Sequence, residues 1–197
     1  HLFQKVIVYQ NISDELKKKI LNIDKNIKII NINFKKNYSG IYKCNYNTFV
    51  GFKECFENLK SDYVIFLEDD VLPSYDFLEF HDQIMSKYAK NQKLFAINSF
   101  SKEFGPNKGF AYSKFIYGIG KGWSISKSKW VILKQLFKKL FKSRKEEFYD
   151  YFFEEHIRRN YFVIMPYRSR TLEQPNNGLN FKMSYFNSNF YKSWKKS

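Results

Sequence analysis

"SDYVIFLEDDVLPSYDFL" spans residues 61–78, and its reading decides how the rest of the chain is understood. An apolar run, "DYVIFL", climbs to three consecutive carboxylates, Glu68, Asp69 and Asp70. The run has the length and side chains of a strand, and its unbroken apolar content predicts burial on both faces. Phe77, Phe80, Ile84 and Tyr88 follow at helical spacing, with Ser74 placed to cap that helix. Three adjacent carboxylates repel one another and lose hydration at a strand end unless something positive joins them. A divalent cation does so, because hard cations prefer oxygen ligands; Mg2+ or Mn2+ bridged to a diphosphate neutralises the cluster. The plain alternative is a solvated acidic turn whose charges suit the dipole of the next helix. A place directly after a buried run and before "PSYDFL" favours metal and nucleotide.

Strands and helices alternate outward from this stretch. "KVIVYQ" (5–10) and "IKIININ" (27–33) read as strands, with a helix between them that Ser13 caps and that carries Leu16, Ile20 and Ile23. Residues 35–45, with Gly40, read as a loop. Phe49, Phe52, Phe56 and Leu59 then mark a core-facing helix. Downstream, "LFAINSF" (94–100) is a strand, and residues 101–112 form a polar loop with Gly105, Pro106 and Gly109, expected to order over a ligand. "KSKWVILKQLFKKLF" (127–141) is a basic amphipathic helix, "DYFFEEHIRR" (150–159) a second helical stretch, and "YFVIMP" (161–166) a strand. The tail from Asn176 reads as loosely ordered. Such alternation predicts an α/β fold with a mostly parallel central sheet flanked by helices. Ligands of open α/β sheets bind at the carboxyl ends of the strands, where the acidic triplet stands.

The 197 residues fit one domain, and aromatic residues at 20% predict a core rich in Phe and Tyr. A net charge of +15 suits an anionic partner: a nucleotide, a membrane surface, nucleic acid or an acidic glycan. A codon bias toward Lys would raise the charge as well. The excess is spread along the chain rather than packed into one tract, which argues against nucleic acid as the partner. Cys44 and Cys55 read as buried thiols rather than a disulfide framework. No run approaches the length of a membrane span, and no signal peptide is visible.

"VIFLEDDVLPSYDFLEF" resembles the metal-binding segment of GT-A nucleotide-sugar glycosyltransferases, above all the group of N-acetylglucosaminyltransferase I and its bacterial surface-glycan relatives. Three further stretches agree in order. "KVIVYQN" resembles the strand whose end reads the nucleotide base. "GIGKGWSISKSKW" resembles the Gly-Trp turn and helix that line the sugar site. "FYDYFFEEHIRR", with the later "YRSRT", resembles the segment that supplies the catalytic acid and closes with Ser-Arg-Thr. The resemblance covers roughly residues 5–178. It implies a single Rossmann-like GT-A domain over residues 1–180, with a nucleotide and metal half to about residue 100, an acceptor half after it, and a tail over 181–197. Only His1 to Gln4 precede "KVIVYQN", so the first strand usual in these enzymes is not represented.

Carried over by position, the resemblance implies that Asp70 contacts Mn2+ or Mg2+. Asp69 would face the ribose or the groups around the metal, and Glu68 the donor sugar. Asn11 would lie near the base edge, where the family carries an acid. Asp150 would be the general base, with Glu154 and Glu155 as alternates. The implied partners are a nucleotide-sugar donor, a UDP-sugar first among them, and a glycan or lipid-linked acceptor. Peripheral contact with a membrane and a cytoplasmic location, free or on the membrane's cytoplasmic face, accompany that expectation.

The chemistry stands without the family. Glycosyl transfer needs a stabilised diphosphate leaving group, which a metal provides, and a base for the acceptor hydroxyl. A single displacement inverts the anomeric centre. Each residue also has a plainer role. Asp150 can cap a helix, and Glu154 and Glu155 can pair with Arg158 and Arg159 at helical spacing. Trp123 can stack on a sugar or fill the core. Arg168 and Arg170 can clamp a phosphate or pair with Glu173. His156 can be a second metal ligand or a structural histidine. The glycines of "GIGKGW" lack dinucleotide spacing and suit a tight turn with close backbone approach. The rival classes are a non-catalytic GT-A-like binding or scaffold protein and, further off, a basic nucleic-acid-binding protein.

Overall fold

A computed structural model describes residues 3–88, 90–101, 112–115, 119–143 and 154–173. Strands β1 (Val6–Gln10) and β2 (Lys28–Ile32) pair in parallel, joined by helix α1 (Asp14–Ile23). The Ser13 hydroxyl caps α1 by accepting from the Leu16 N–H at 3.2 Å. Helix α2 (Gly40–Lys53) and a π turn (Glu54–Asn58) lead into β3 (Tyr63–Phe66). α2 lies closely on β1, since a Cβ added to Gly51 would come 3.3 Å from Val8 Cγ2.

The expected loop over 35–45 ends early. The Ser39 hydroxyl accepts from the Tyr42 N–H at 3.2 Å and starts α2 at Gly40. Tyr38, Tyr42 and Tyr46 recur at four-residue spacing, and their rings stack along the helix at 4.4 and 6.3 Å between centroids. Gly40 stands at the first helical position, outside the helix interior where glycine's backbone freedom costs most.

After the acids comes a short strand, β4 (Val71–Pro73), and then α3 (Phe77–Tyr88). The cap of α3 sits two residues beyond the expected Ser74: the first intrahelical bond runs from the Phe80 N–H to the Asp76 carbonyl at 2.9 Å. The chain continues through β5 (Leu94–Asn98), β6 (Tyr112–Phe115), β7 (Trp123–Ser126), α4 (Lys127–Ser143), α5 (Glu154–Asn160), β8 (Phe162–Pro166) and β9 (Thr171–Glu173). Among the described residues five strands form one sheet in the order β3-β7-β5-β8-β6, and β4 pairs with β9 alone. The α/β class holds, with a central sheet that is mixed. The β1–β2 and β5–β8 ladders, each bridged by helices, are parallel, and β3–β7, β5–β7, β6–β8 and β4–β9 are antiparallel. β3 is half-buried along its length, not buried on both faces, and among the described residues its apolar run has only β7 beside it in this sheet.

Two apolar layers hold the sheet. On one face Trp123, Ile125 and Val163 pack with Phe52 and Phe56 and with Trp130, Leu133 and Phe137 of α4. On the other, Leu94, Ile97 and Ile164 pack with Phe80, Ile84 and Met85 of α3. A β-bulge between Leu94 and Ala96 turns Phe95 and Ala96 to the first layer together.

Candidate functional site

The acidic triplet occupies the turn between β3 and β4, with Glu68 and Asp69 exposed and Asp70 half-buried. It stands at the carboxyl end of β3. Helix α2 follows β2, so its first turns lie at the carboxyl ends of β1 and β2. Cys44 stands in the second turn of α2. Its thiol is shifted up first by loss of hydration, although the residue keeps an exposed edge. The negative charges of Glu68, Asp69 and Asp70 add to that shift. Cys44 of α2 therefore lies within electrostatic reach of the triplet. Asn11, directly after β1, is exposed and left-handed at φ 53°, a conformation that Asn tolerates well.

Behind the triplet, four segments converge on Gly122. At φ +91° it adopts a backbone that disfavours side chains, and an added Cβ would meet Thr171 Cγ2 at 2.9 Å, Phe77 Cε2 at 3.2 Å and Leu67 Cδ1 at 3.3 Å. The expected close backbone approach is present at this glycine. Ser99 donates its N–H to the Gly122 carbonyl at 2.8 Å, Arg170 donates its N–H to the Ser99 carbonyl at 2.7 Å, and the Thr171 hydroxyl donates to the Lys121 carbonyl at 2.6 Å. Below them the fully buried His81 bridges Ser124 Oγ at 2.7 Å from Nδ1 and Ser99 Oγ at 2.5 Å from Nε2. Burial brings its pKa down to about 3, so the ring is neutral, donating from one nitrogen and accepting at the other.

Several expected roles are revised by this arrangement. Trp123 is 1% exposed and lies against Phe52 and Phe66, so it fills the core rather than presenting a face to a sugar. Arg170, also 1% exposed, turns inward: Nε donates to Asp76 Oδ2 at 3.2 Å, and the guanidinium covers the Phe80 ring at 4.9 Å. Among the described side chains its ion partner is Asp76, and a guanidinium so buried faces inward rather than toward a donor phosphate; the alternative pairing with Glu173 falls on a side chain outside the described ones. His156 sits beside the Tyr161 ring, and burial and then the Lys139 charge lower its pKa. Cys44 is exposed and Cys55 half-buried, and both are free. Asp150 and the loop 102–111 lie outside the described residues; Glu154 and Glu155 open α5, but their side chains are not among those described.

The donor set of the triplet is all carboxylate oxygen, the chemistry of a hard divalent cation. Among the described residues no three His, Cys, Asp or Glu side chains gather into a protein cage for a metal. Asp76, His81 and Ser99, which build the hydrogen-bonded support around Gly122 and Arg170, were not singled out from the sequence. Their partners lie up to 94 positions away, so no local spacing reports them. Among the described residues no helix is long and apolar enough to cross a membrane.

No protein-family model and no curated protein matches the chain. Among solved structures, a glycosyltransferase involved in the glycosylation of the major capsid of PBCV-1 superposes with a TM-score of 0.42 at 12% identity, over 84% of this chain and 94% of that one. The structure of apo UDP-glucose pyrophosphorylase superposes with a TM-score of 0.42 at 13% identity, over 82% of this chain and 72% of the other. Likenesses at this level carry no inference about what this chain binds or does.

Proposed function

We propose that this chain is a metal-dependent, inverting glycosyltransferase of GT-A-like organisation. It moves a sugar from a nucleotide-sugar donor, a UDP-sugar in the first instance, to a hydroxyl of a glycan or lipid-linked acceptor. The observation that carries this reading is three adjacent carboxylates, two of them exposed, in the turn directly after the carboxyl end of β3. In open α/β sheets, ligands bind at the carboxyl ends of the strands.

Asp70 contacts Mn2+ or Mg2+, which stabilises the departing diphosphate when bound. Asp69 faces the ribose, and Glu68 a hydroxyl of the donor sugar. Asn11 offers its amide to the base edge. Asp150 takes the proton from the acceptor hydroxyl, with Glu154 and Glu155 as alternates on the same stretch. A thermal-shift series with UDP-, GDP- and CMP-sugars, each with and without Mn2+, tests the reading. One donor is expected to raise the melting temperature with Mn2+ and much less without it. A series in which no donor stabilises the protein in the presence of metal would overturn it.

A further inference from the structure

We propose that the Arg170–Asp76 ion pair is a positioning device for the acidic triplet, holding the segment that follows Asp70 and so setting where the three carboxylates stand. The inference goes beyond the proposed reaction and rests on it only for its binding experiment.

Two bodies flank the triplet. On one side β3 belongs to the five-stranded sheet. On the other, β4 begins at Val71, directly after Asp70, and its one partner strand among the described residues is β9. The geometry of the turn therefore follows the placement of the β4–β9 ribbon against the main sheet. Residues 170–173 govern that placement. Val71 pairs with Glu173 at one end of the ribbon, and beyond the other end the Ser74 N–H donates to the Arg170 carbonyl at 2.8 Å. The Arg170 N–H reaches back to Ser99, at the end of β5, at 2.7 Å.

The Arg170 side chain adds a third attachment. Nε donates to Asp76 Oδ2, and Nη1 donates to the Arg168 carbonyl. Asp76 takes the Ser74 hydroxyl on its other carboxylate oxygen at 2.5 Å, and its carbonyl receives the first bond of α3. One arginine thus joins the main sheet, the ribbon and the head of α3. Side-chain exposures of 2% for Arg170 and 17% for Asp76 mean that the pair loses much hydration when it forms. An apolar pair of similar volume would fill the space without that cost. What the guanidinium adds is direction: a planar fork fixes distance and angle, where methylenes slide.

The test uses the full chain and three variants, Asp76→Asn, Arg170→Met and Arg170→Lys. Hydrogen exchange is followed in the absence of ligand, and UDP binding with Mn2+ is followed by calorimetry. Asp76→Asn and Arg170→Met are expected to speed exchange over residues 70–74 by roughly tenfold, leaving α2 and α4 at the parental rate, and to weaken UDP–Mn2+ binding by roughly tenfold. Arg170→Lys keeps the charge without the fork and should fall between them and the parent. Unchanged exchange at 70–74, equal acceleration everywhere, or parental UDP–Mn2+ affinity in a folded variant would each overturn the proposal. Should Arg170→Met not fold, the nearly isosteric Asp76→Asn decides the matter. A parent that does not bind UDP with Mn2+ would count against the nucleotide reading, while the exchange result would still decide whether the pair positions the turn.

Discussion

Gly122 and Thr171 stand so close that a Cβ on the glycine would lie 2.9 Å from Thr171 Cγ2. Real side chains do not approach to that distance, and the φ of +91° is itself unfavourable for any residue but glycine. Gly122→Ala is therefore expected to lower unfolding stability by about 2–3 kcal/mol, part from the backbone and part from the collision. Thr171→Ser removes the methyl group and keeps the hydroxyl that donates to the Lys121 carbonyl. The double variant should recover the collision part in urea unfolding. Purely additive losses would show that the methyl group is not what the alanine meets.

His81 predicts a pH dependence. In the folded chain the buried ring titrates near 3, and once exposed near 6.5. Between those values the unfolded chain binds a proton that the folded chain refuses. The stability contributed by a neutral His81 is complete above about pH 6.5 and is lost as pH falls toward 3, at up to about 1.4 kcal/mol per unit. Urea midpoints measured from pH 7.5 down to 5 should fall more steeply for the parent than for His81→Gln. Parallel curves would remove His81 as the source.

The Cys44 thiol reports the charge of the triplet. Neutralising the acids in Glu68→Gln/Asp69→Asn/Asp70→Asn should lower its pKa and speed alkylation at mildly alkaline pH by roughly two- to fivefold. Cys55, pushed up to about 11 mainly by burial, should stay slow in both proteins. Identical Cys44 rates would mean that Cys44 does not lie within electrostatic reach of the triplet in solution.

For the proposed metal site, calorimetry should show UDP affinity rising with Mn2+ in the parent and staying flat in Asp70→Ala, because the diphosphate and one carboxylate bind the ion together. Equal enhancement in both proteins would move the metal away from Asp70.

Asp150→Asn preserves shape and most hydrogen bonds but cannot accept a proton. Transfer is expected to fall by roughly a hundredfold or more, with donor affinity and melting temperature close to the parent. A helix cap predicts otherwise, since Asn caps about as well as Asp. Near-parental turnover would move the search for the base to Glu154 and Glu155.

Local patterns in the sequence determined the elements that depend on neighbours along the chain. The Ser13 cap, the spacing of Phe77, Phe80 and Ile84, and the β-rich runs at 5–10, 94–100 and 161–166 all report short-range geometry, and the structure places a helix or strand within each, the strands one or two residues shorter than the runs. The acidic triplet was legible for the same reason, as a sharp change of polarity at a strand end. Tertiary structure alone decided the rest. β4, β7 and β9 are three or four residues long, too short for a period, and exist because distant partners complete their ladders. The start of α2 at Gly40 was hidden because glycine is a weak helix former, although it costs little in a first turn. The inward turn of Arg170 follows from Asp76 and Phe80, 94 and 90 positions earlier, which supply a carboxylate and an aromatic face at one point in space. No one-dimensional spacing encodes such a meeting. A charged or aromatic residue such as Arg170 or Trp123 has the same letter whether it faces a ligand or the core, and only packing against the rest of the chain decides which.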